Sequence, residues 1–432
     1  MLTSIENAKF AVYERITGML WVLLFYSYLD IYNSINGLLP IKPRNLIIFL
    51  TILTLPIIYK EIKDKKWSLV NHLAIFLVFV FIVFSISLCS YFTYENLALF
   101  KNQILCLVFL GVSYLSFLNP NSQIAARYTM LVCLAFTVLI NFAEVIHPII
   151  TAYGRSAGLY MNPNISALAI PLGLALTIPL IPEKYRISSI LLTGGAVLGT
   201  LSRGGMIAFA ICLMMIYFQG FVNLKLNRKE ILNNSIILLI VLLILVCGYT
   251  FNPPFRWSFD HQLVPVSSLT AFAHLDLSKS MNTMENITDN GNADEQGNNT
   301  SSQELQNIVK EGLDNSDYIK NSGRSRIWLL GTALAMYKTN PLWGSGMDKA
   351  WALTPHNEYL LLAVAYGAIG WLILPLLALT VFLCGDRRIS LSIGVILLVA
   401  GLISHNLMVD RMVLVSLALA AALKYENLKH EL

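Results

Sequence analysis

The sequence has few charged residues. Asp, Glu, Lys and Arg make up 13% of its 432 residues, about half the share of ~25% found in soluble domains. Apolar residues make up 56%. A soluble fold needs a more highly charged surface, so this composition excludes a soluble protein. The apolar residues also form long uninterrupted runs, which the alternating strands of an outer-membrane barrel do not give.

The sequence also lacks several motifs that carry enzyme chemistry. It contains no HExxH, no phosphate-binding P-loop and no DxD pair, and the last absence argues against a cytoplasmic enzyme that uses nucleotide sugars. The six cysteines lie in apolar runs without CxxC spacing, which is typical of core residues. No histidines have metal-ligand spacing, so we expect no metal site.

Long apolar runs dominate the chain and predict an all-α integral membrane protein. A helix needs about 20 apolar residues to cross ~30 Å of hydrocarbon. About twelve transmembrane helices are predicted, at 16–36, 45–59, 69–89, 97–118, 128–148, 165–181, 188–201, 205–222, 234–251, 357–384, 389–405 and 411–423.

Lys and Arg are concentrated in alternate loops and in both termini, which the positive-inside rule places in the cytoplasm. The net charge of +5 reflects this bias and not a nucleic-acid surface. We expect no nucleic-acid partner and a multi-pass protein of the bacterial inner membrane.

Four regions are predicted along the chain. Residues 1–251 hold helices one to nine, and residues 252–355 form a large periplasmic loop. The middle of that loop, about 280–321, is rich in Asn and Gly and is expected to be disordered. An amphipathic helix follows at 324–338, before a turn at Pro341 and Gly344. Residues 356–423 hold helices ten to twelve, and 424–432 form a cytoplasmic tail.

Arginines on the predicted periplasmic face are candidate anion ligands. Arg155 lies in GRSAGLYMNPN, Arg203 in LSRGG, and Arg324 and Arg326 in NSGRSRIW. Guanidinium groups fit phosphate oxygens bidentately, and so apolar a protein favours a lipid-linked pyrophosphate over a soluble one. The alternative for each arginine alone is an interfacial anchor that snorkels. Arg203 fits that alternative least, because Gly204 after it lets a ligand approach the backbone.

His356, in PHNEYLLL, is the candidate general base. A histidine that titrates near neutral pH can take a proton from a hydroxyl, and Asn357 and Glu358 could orient the ring or the acceptor. The alternative is a structural histidine at the membrane edge.

These segments together resemble the O-antigen ligase/polymerase superfamily. Its pattern has GR, then two residues of any type, then an aliphatic residue and Trp. This is followed by P-x-x-G-x-G, HN-x-x-L and G-x-x-G. Upstream lie a GR-x-x-G…N-P-N element and an SRG element. The matching residues, in motifs that span about 150–380, are Gly323, Arg324, Ile327, Trp328, Pro341, Gly344, Gly346, His356, Asn357, Leu360, Gly367 and Gly370, with Arg155, Asn164, Arg203 and Gly204 upstream.

The resemblance implies a GT-C-like glycosyltransferase that works on the periplasmic face. Its donor would be a glycan on undecaprenyl pyrophosphate and its acceptor a sugar hydroxyl of lipid A–core, in lipopolysaccharide biosynthesis. Arg155, Arg203, Arg324 and Arg326 would bind the pyrophosphate, and His356 would activate the acceptor. Asn164, Gly204, Asn357 and Glu358 would support them. No metal or other cofactor is implied, and the remaining partners are membrane lipids.

Several alternatives stay open. Polymerases of the superfamily use another lipid-linked repeat as acceptor, and O-oligosaccharyltransferases use a protein Ser or Thr. The short C-terminal tail favours a ligase over the oligosaccharyltransferases, which tend to have a longer soluble part. A lipid-linked glycan transporter is less favoured, because the sequence shows neither internal repeats nor charges at the bilayer midplane.

Overall fold

The computed structural model describes residues 2–31, 42–64, 71–147, 154–222, 228–262, 322–404 and 406–423, and these residues form helices and no strand. The predicted disordered stretch and the predicted tail lie outside the described residues. The α-helices are α1 Leu2–Trp21, α2 Pro43–Asp64, α3 His72–Ser90, α4 Tyr94–Phe117, α5 Pro120–Ile146, α6 Pro163–Thr177, α7 Glu183–Gly199, α8 Arg203–Phe218, α9 Arg228–Phe251, α10 Pro253–Gln262, α11 Ser322–Thr339, α12 Met347–Leu353, α13 Glu358–Tyr366, α14 Gly370–Cys384, α15 Arg387–Gly401 and α16 Arg411–Ala422.

Side-chain caps fix where many of these helices begin. Asn, Ser, Thr or Asp at the N-cap accepts a hydrogen bond from a backbone N–H of the first turn, which has no acceptor within the helix. The capping residues are Asn71, Thr93, Asn119, Asn162, Ser202, Asn357, Asp386 and Asp410.

Short turns join α3 to α4, α4 to α5, α6 to α7 and α7 to α8, and they make the helices of each pair antiparallel. One end of the bundle, called here the site end, contains residues 91–93, 154–162, 200–202 and 402–404. At the opposite end, buried Glu14 accepts hydrogen bonds from Lys60 Nζ and Asn119 Nδ2, both at 2.9 Å. Arg186 there donates to the carbonyl of Phe221 at 2.8 Å.

The structure supports a multi-pass membrane protein. Six helical stretches among the described residues are long and apolar enough to cross a membrane: His72–Ser90, Tyr94–Phe117, Pro120–Ile146, Pro163–Leu180, Arg228–Phe251 and Glu358–Cys384. Only 17% of the apolar window of α9 is buried inside the protein, as expected for a helix that faces lipid. The count of about twelve spans stays a prediction.

The stretch Glu358–Cys384, which covers the tenth predicted span at 357–384, meets the criterion by length and composition only, because it is not one straight helix. Gly367 has φ +69°, and the chain reverses there between α13 and α14. The rings of Tyr359 and Trp371 stack with centroids 6.4 Å apart, whereas twelve residues of continuous helix would separate them by about 18 Å. The apolar run was visible in the sequence, but the reversal of direction was not.

The described residues of the predicted periplasmic loop form three helices, α10, α11 and α12, of which α12 was not predicted. A helix is present at the predicted position 324–338 as α11, and the predicted turn follows it, but the amphipathic character predicted for this helix stays a prediction. The short helix α10 was not predicted. Gly154 packs against the backbone of Pro254 at its start, and a Cβ on Gly154 would lie 2.0 Å from the carbonyl oxygen.

Candidate active site

The segment that carries Arg155 is fixed to the end of α7. Arg155 Nε donates to the carbonyl of Thr200 at 2.9 Å, and the backbone N–H of Ser156 donates to the carbonyl of Gly199 at 3.2 Å. These two hydrogen bonds to residues 199–200 hold the guanidinium of Arg155 beside the residues that lead into α8.

Asn164 connects Arg155 to the start of α8. Its Oδ1 accepts from Arg155 Nη2 at 2.9 Å and from the hydroxyl of Ser202 at 3.0 Å. Ser202 also caps α8 by accepting from the N–H of Gly205, and exposed Arg203 is the first residue of that helix. Two arginines and a helix N-terminus therefore lie together, which is an arrangement suited to an anion.

A buried carboxylate lies behind this cluster and was missed by sequence reasoning. Glu144, near the end of α5, accepts hydrogen bonds from the N–H groups of Ala157 and Gly158 at 2.6 and 2.8 Å. It thereby fixes the segment just after Arg155. The available signal was a single acidic residue inside the apolar sequence INFAEVI.

His356 lies at the tip of a helical hairpin formed by α12 and α13. The base of the hairpin is closed by two backbone bonds, from Ser345 N to Val364 O at 2.7 Å and from Gly346 N to Ala365 O at 3.3 Å. At the tip, Thr354 and His356 have positive φ values of 38° and 51°. Non-glycine residues in this region are strained and persist only where surrounding contacts fix them.

Asn357 and Glu358 attach the tip to the segment between α15 and α16. Asn357 caps α13 and donates from Nδ2 to the carbonyl of Leu402 at 3.3 Å. The buried carboxylate of Glu358 accepts from the backbone N–H groups of Leu407 and Met408 at 3.1 and 3.4 Å. Val409 O in turn lies 3.9 Å from Cys106 Sγ, in the middle of α4, so this segment dips into the bundle.

The same segment brings the hairpin tip and the arginine cluster together. Ile403 packs so closely on Gly204 that a Cβ on Gly204 would lie 2.3 Å from Ile403 Cδ1. Its neighbour Leu402 is the acceptor for Asn357. Residues 402 and 403 therefore contact both Gly204, the neighbour of Arg203, and Asn357, the neighbour of His356.

Arg324 and Arg326 are the third and fifth residues of α11, and their side chains lie outside the described part of the structure. The helix itself packs against both arms of the hairpin. Its Tyr337 ring contacts Trp371 edge-on, with centroids 5.9 Å apart.

A second buried polar cluster was also missed by sequence reasoning. Arg411 pairs with the carboxylate of Asp30, which is 1% exposed, and Tyr28 donates to Asp410 Oδ2 at 2.6 Å. Arg411 is therefore paired inside the protein and does not reach out to headgroups. Among the described residues, no group of three or more His, Cys, Asp or Glu side chains could hold a metal ion.

The fold and this arrangement define a multi-pass helical membrane protein with Arg155 and Arg203 at one helix start, which residues 402–403 link to the hairpin tip that carries His356. Residues 188–374 match the family model described as O-antigen ligase. This match confirms the resemblance to the O-antigen ligase/polymerase superfamily for a little under half of the chain. Members of that family are glycosyltransferase-like enzymes. Arg203, Arg324, Arg326 and His356 lie inside the matched region, and Arg155 and Asn164 precede it. No curated protein matches the chain.

Proposed function

We propose that this protein is an O-antigen ligase. It transfers O-antigen polysaccharide from undecaprenyl pyrophosphate to a sugar hydroxyl of lipid A–core, at the periplasmic face of the inner membrane. The observation that supports the proposal is that Asn164 joins Arg155 to Ser202, the residue before Arg203, while residues 402 and 403 contact both Gly204 and Asn357, the neighbours of Arg203 and His356.

In the proposed mechanism, the acceptor hydroxyl attacks the anomeric carbon of the donor while His356 takes its proton. The bond from that carbon to the pyrophosphate oxygen breaks, with inversion of configuration, and the electron pair leaves with undecaprenyl pyrophosphate. Arg155 and Arg203, with Arg324 and Arg326 from α11, stabilise the charge that develops on the leaving group. Losing one such donor typically costs ~10²–10³ in rate, and no step requires a metal.

The test is complementation of cells that lack the native ligase, together with reconstitution using a labelled lipid-linked donor. His356→Ala and Arg203→Ala are expected to accumulate in the membrane but to leave lipid A–core unmodified. His72→Ala and Arg228→Ala are matched controls, because each removes the same residue type from an exposed position at the start of an apolar helix. Both controls should retain wild-type transfer.

The destination of the glycan separates this proposal from its alternatives. Label on lipid A–core supports a ligase, whereas longer chains on the lipid carrier would indicate a polymerase. Label on protein Ser or Thr would indicate an O-oligosaccharyltransferase. Full activity of both site variants would contradict the proposed active site.

A further inference from the structure

The turn between α3 and α4 contacts the base of the His356 hairpin. The hydroxyl of Tyr91 donates to the carbonyl of Gly344 at 2.7 Å and accepts from Asn340 Nδ2. Tyr91 lies between two candidate spans, and burial raises the pKa of its hydroxyl. The phenol therefore stays protonated and can donate to Gly344.

Asn96, in the first turn of α4, caps a helix to which it does not belong. The N-cap of α12 is Gly346, which has no side chain to cap the first-turn N–H groups. Asn96 Oδ1 accepts from the N–H of Asp348 at 2.9 Å, and its Nδ2 donates to the carbonyl of Tyr91 at 2.7 Å. Asn96 is 5% exposed, so its amide depends on these two partners.

The contact extends to the other arm of the hairpin. Ser87 Oγ donates to the carbonyl of Ala365 at 3.3 Å, and Ala365 also accepts from Gly346 at the hairpin base. The ring of Phe84 stacks on Tyr366, with centroids 4.8 Å apart. Residues of α3 and α4 thus contact the first residues of α12 and the last residues of α13.

The position of the hairpin base affects the position of the residues at the hairpin tip. The seven residues of α12 span only about 10 Å, so a shift or rotation at Gly346 is carried to Thr354 and His356. The tip is held in a strained backbone conformation, which relaxes when its supporting contacts are lost.

We propose that Tyr91 and Asn96 are positioning residues for His356. Both lie outside the region matched by the family model, in a part of the chain to which no role has been assigned. They act by fixing the base of the hairpin, so that the imidazole at its tip meets the acceptor hydroxyl in the correct place. This inference rests on the proposed function of His356.

The test is steady-state transfer kinetics of the purified full-length protein with Tyr91→Phe and Asn96→Ala. We expect kcat to fall by about 10- to 100-fold in Asn96→Ala, the scale on which small misplacements act, and by less in Tyr91→Phe. The KM for the lipid-linked donor should change less than kcat, because Thr200 and Asn164 hold Arg155 independently of the hairpin. Tyr94→Phe and Asn102→Ala are matched controls at exposed positions of the same helix and should match wild type.

A second comparison separates positioning from general destabilisation. Added to His356→Ala, Asn96→Ala should lower the residual rate no further, because the group that it positions is absent. An equal fold-loss in both backgrounds, unchanged kcat in both single variants, or a rise in donor KM alone would overturn the proposal.

Amide hydrogen exchange gives a readout that needs no activity. Asn96→Ala should speed exchange across residues 347–358 and leave α8 unchanged. Unchanged exchange at 347–358 would also overturn the proposal. A wild-type protein that transfers no glycan to any acceptor would instead refute the proposed function, and exchange would still decide whether the base controls the tip.

Discussion

Glu144→Ala removes the carboxylate that accepts two backbone hydrogen bonds from the segment after Arg155. Ala157 and Gly158 are both buried, so their N–H groups would lose their acceptor without gaining water. Each unsatisfied buried donor costs ~1–3 kcal/mol, and the free energy of unfolding should therefore fall by roughly 2–6 kcal/mol in total.

Glu144→Gln provides the graded comparison. Its amide oxygen can still accept from the same N–H groups, but charge-assisted hydrogen bonds are roughly twice as strong as neutral ones. We therefore expect Gln to lose about half as much stability as Ala. Glu183→Gln is the matched control, because the Glu183 side chain is 84% exposed and surface pairs contribute at most ~1 kcal/mol.

Thermal and denaturant unfolding of the purified protein in detergent measures the stability, and transfer kinetics measure the consequence for the site. The donor kcat/KM should fall in the order wild type, Gln, Ala, because Arg155 loses its fixed position. If Glu144→Ala unfolds like Glu183→Gln and uses the donor like wild type, Glu144 does not hold this segment and the reasoning is refuted.

Two further predictions concern packing and buried charge. Gly205→Ala should destabilise the protein by ~1–3 kcal/mol, because the new Cβ would lie 2.1 Å from Ala167 Cβ and 3.1 Å from Ala167 Cα on the facing helix. Gly204→Ala should cost less, because its Cβ meets the flexible end of Ile403. Equal unfolding midpoints for the two variants would contradict this prediction. Arg411→Ala should lower the free energy of unfolding by ~3–5 kcal/mol, because it leaves buried Asp30 without its partner. A double variant that adds Asp30→Asn should regain most of this stability, as measured by denaturant unfolding. If it regains none, the loss of the ion pair is not the cause.

Local sequence patterns predicted part of the fold. The helix α11 and its end were predictable because the apolar and aromatic residues that form it, and the Pro and Gly residues that end it, act within a few residues. Helix starts at Asn119 and Ser202 follow from the same kind of short-range chemistry. The candidate residues were found because arginine and histidine are costly near lipid and therefore conspicuous in an apolar sequence.

Long-range partners were not predictable in this way. Asn96 is polar and sits in an ordinary first turn, and nothing within α4 indicates that it caps α12, about 250 positions further along the chain. Asp30 and Arg411 are likewise far apart in sequence, so a lone arginine near the last turn gave no sign of its carboxylate partner. Glu144 was visible as an acidic residue in an apolar run. The two N–H groups that donate to it belong to Ala157 and Gly158, in a segment whose path the sequence does not specify.

By itself, the sequence determined that the chain is helical and apolar enough for a membrane, and it singled out the arginines and His356. Composition and short motifs suffice for this, since hydrophobicity and helix capping are properties of neighbouring residues. The tertiary structure alone decided that the chain reverses at Gly367 and that His356 lies on a hairpin held from α4. It also decided that Asn164 joins Arg155 to the start of α8. Those features depend on which helices pack together, and packing is settled by the fit of whole surfaces rather than by any local pattern.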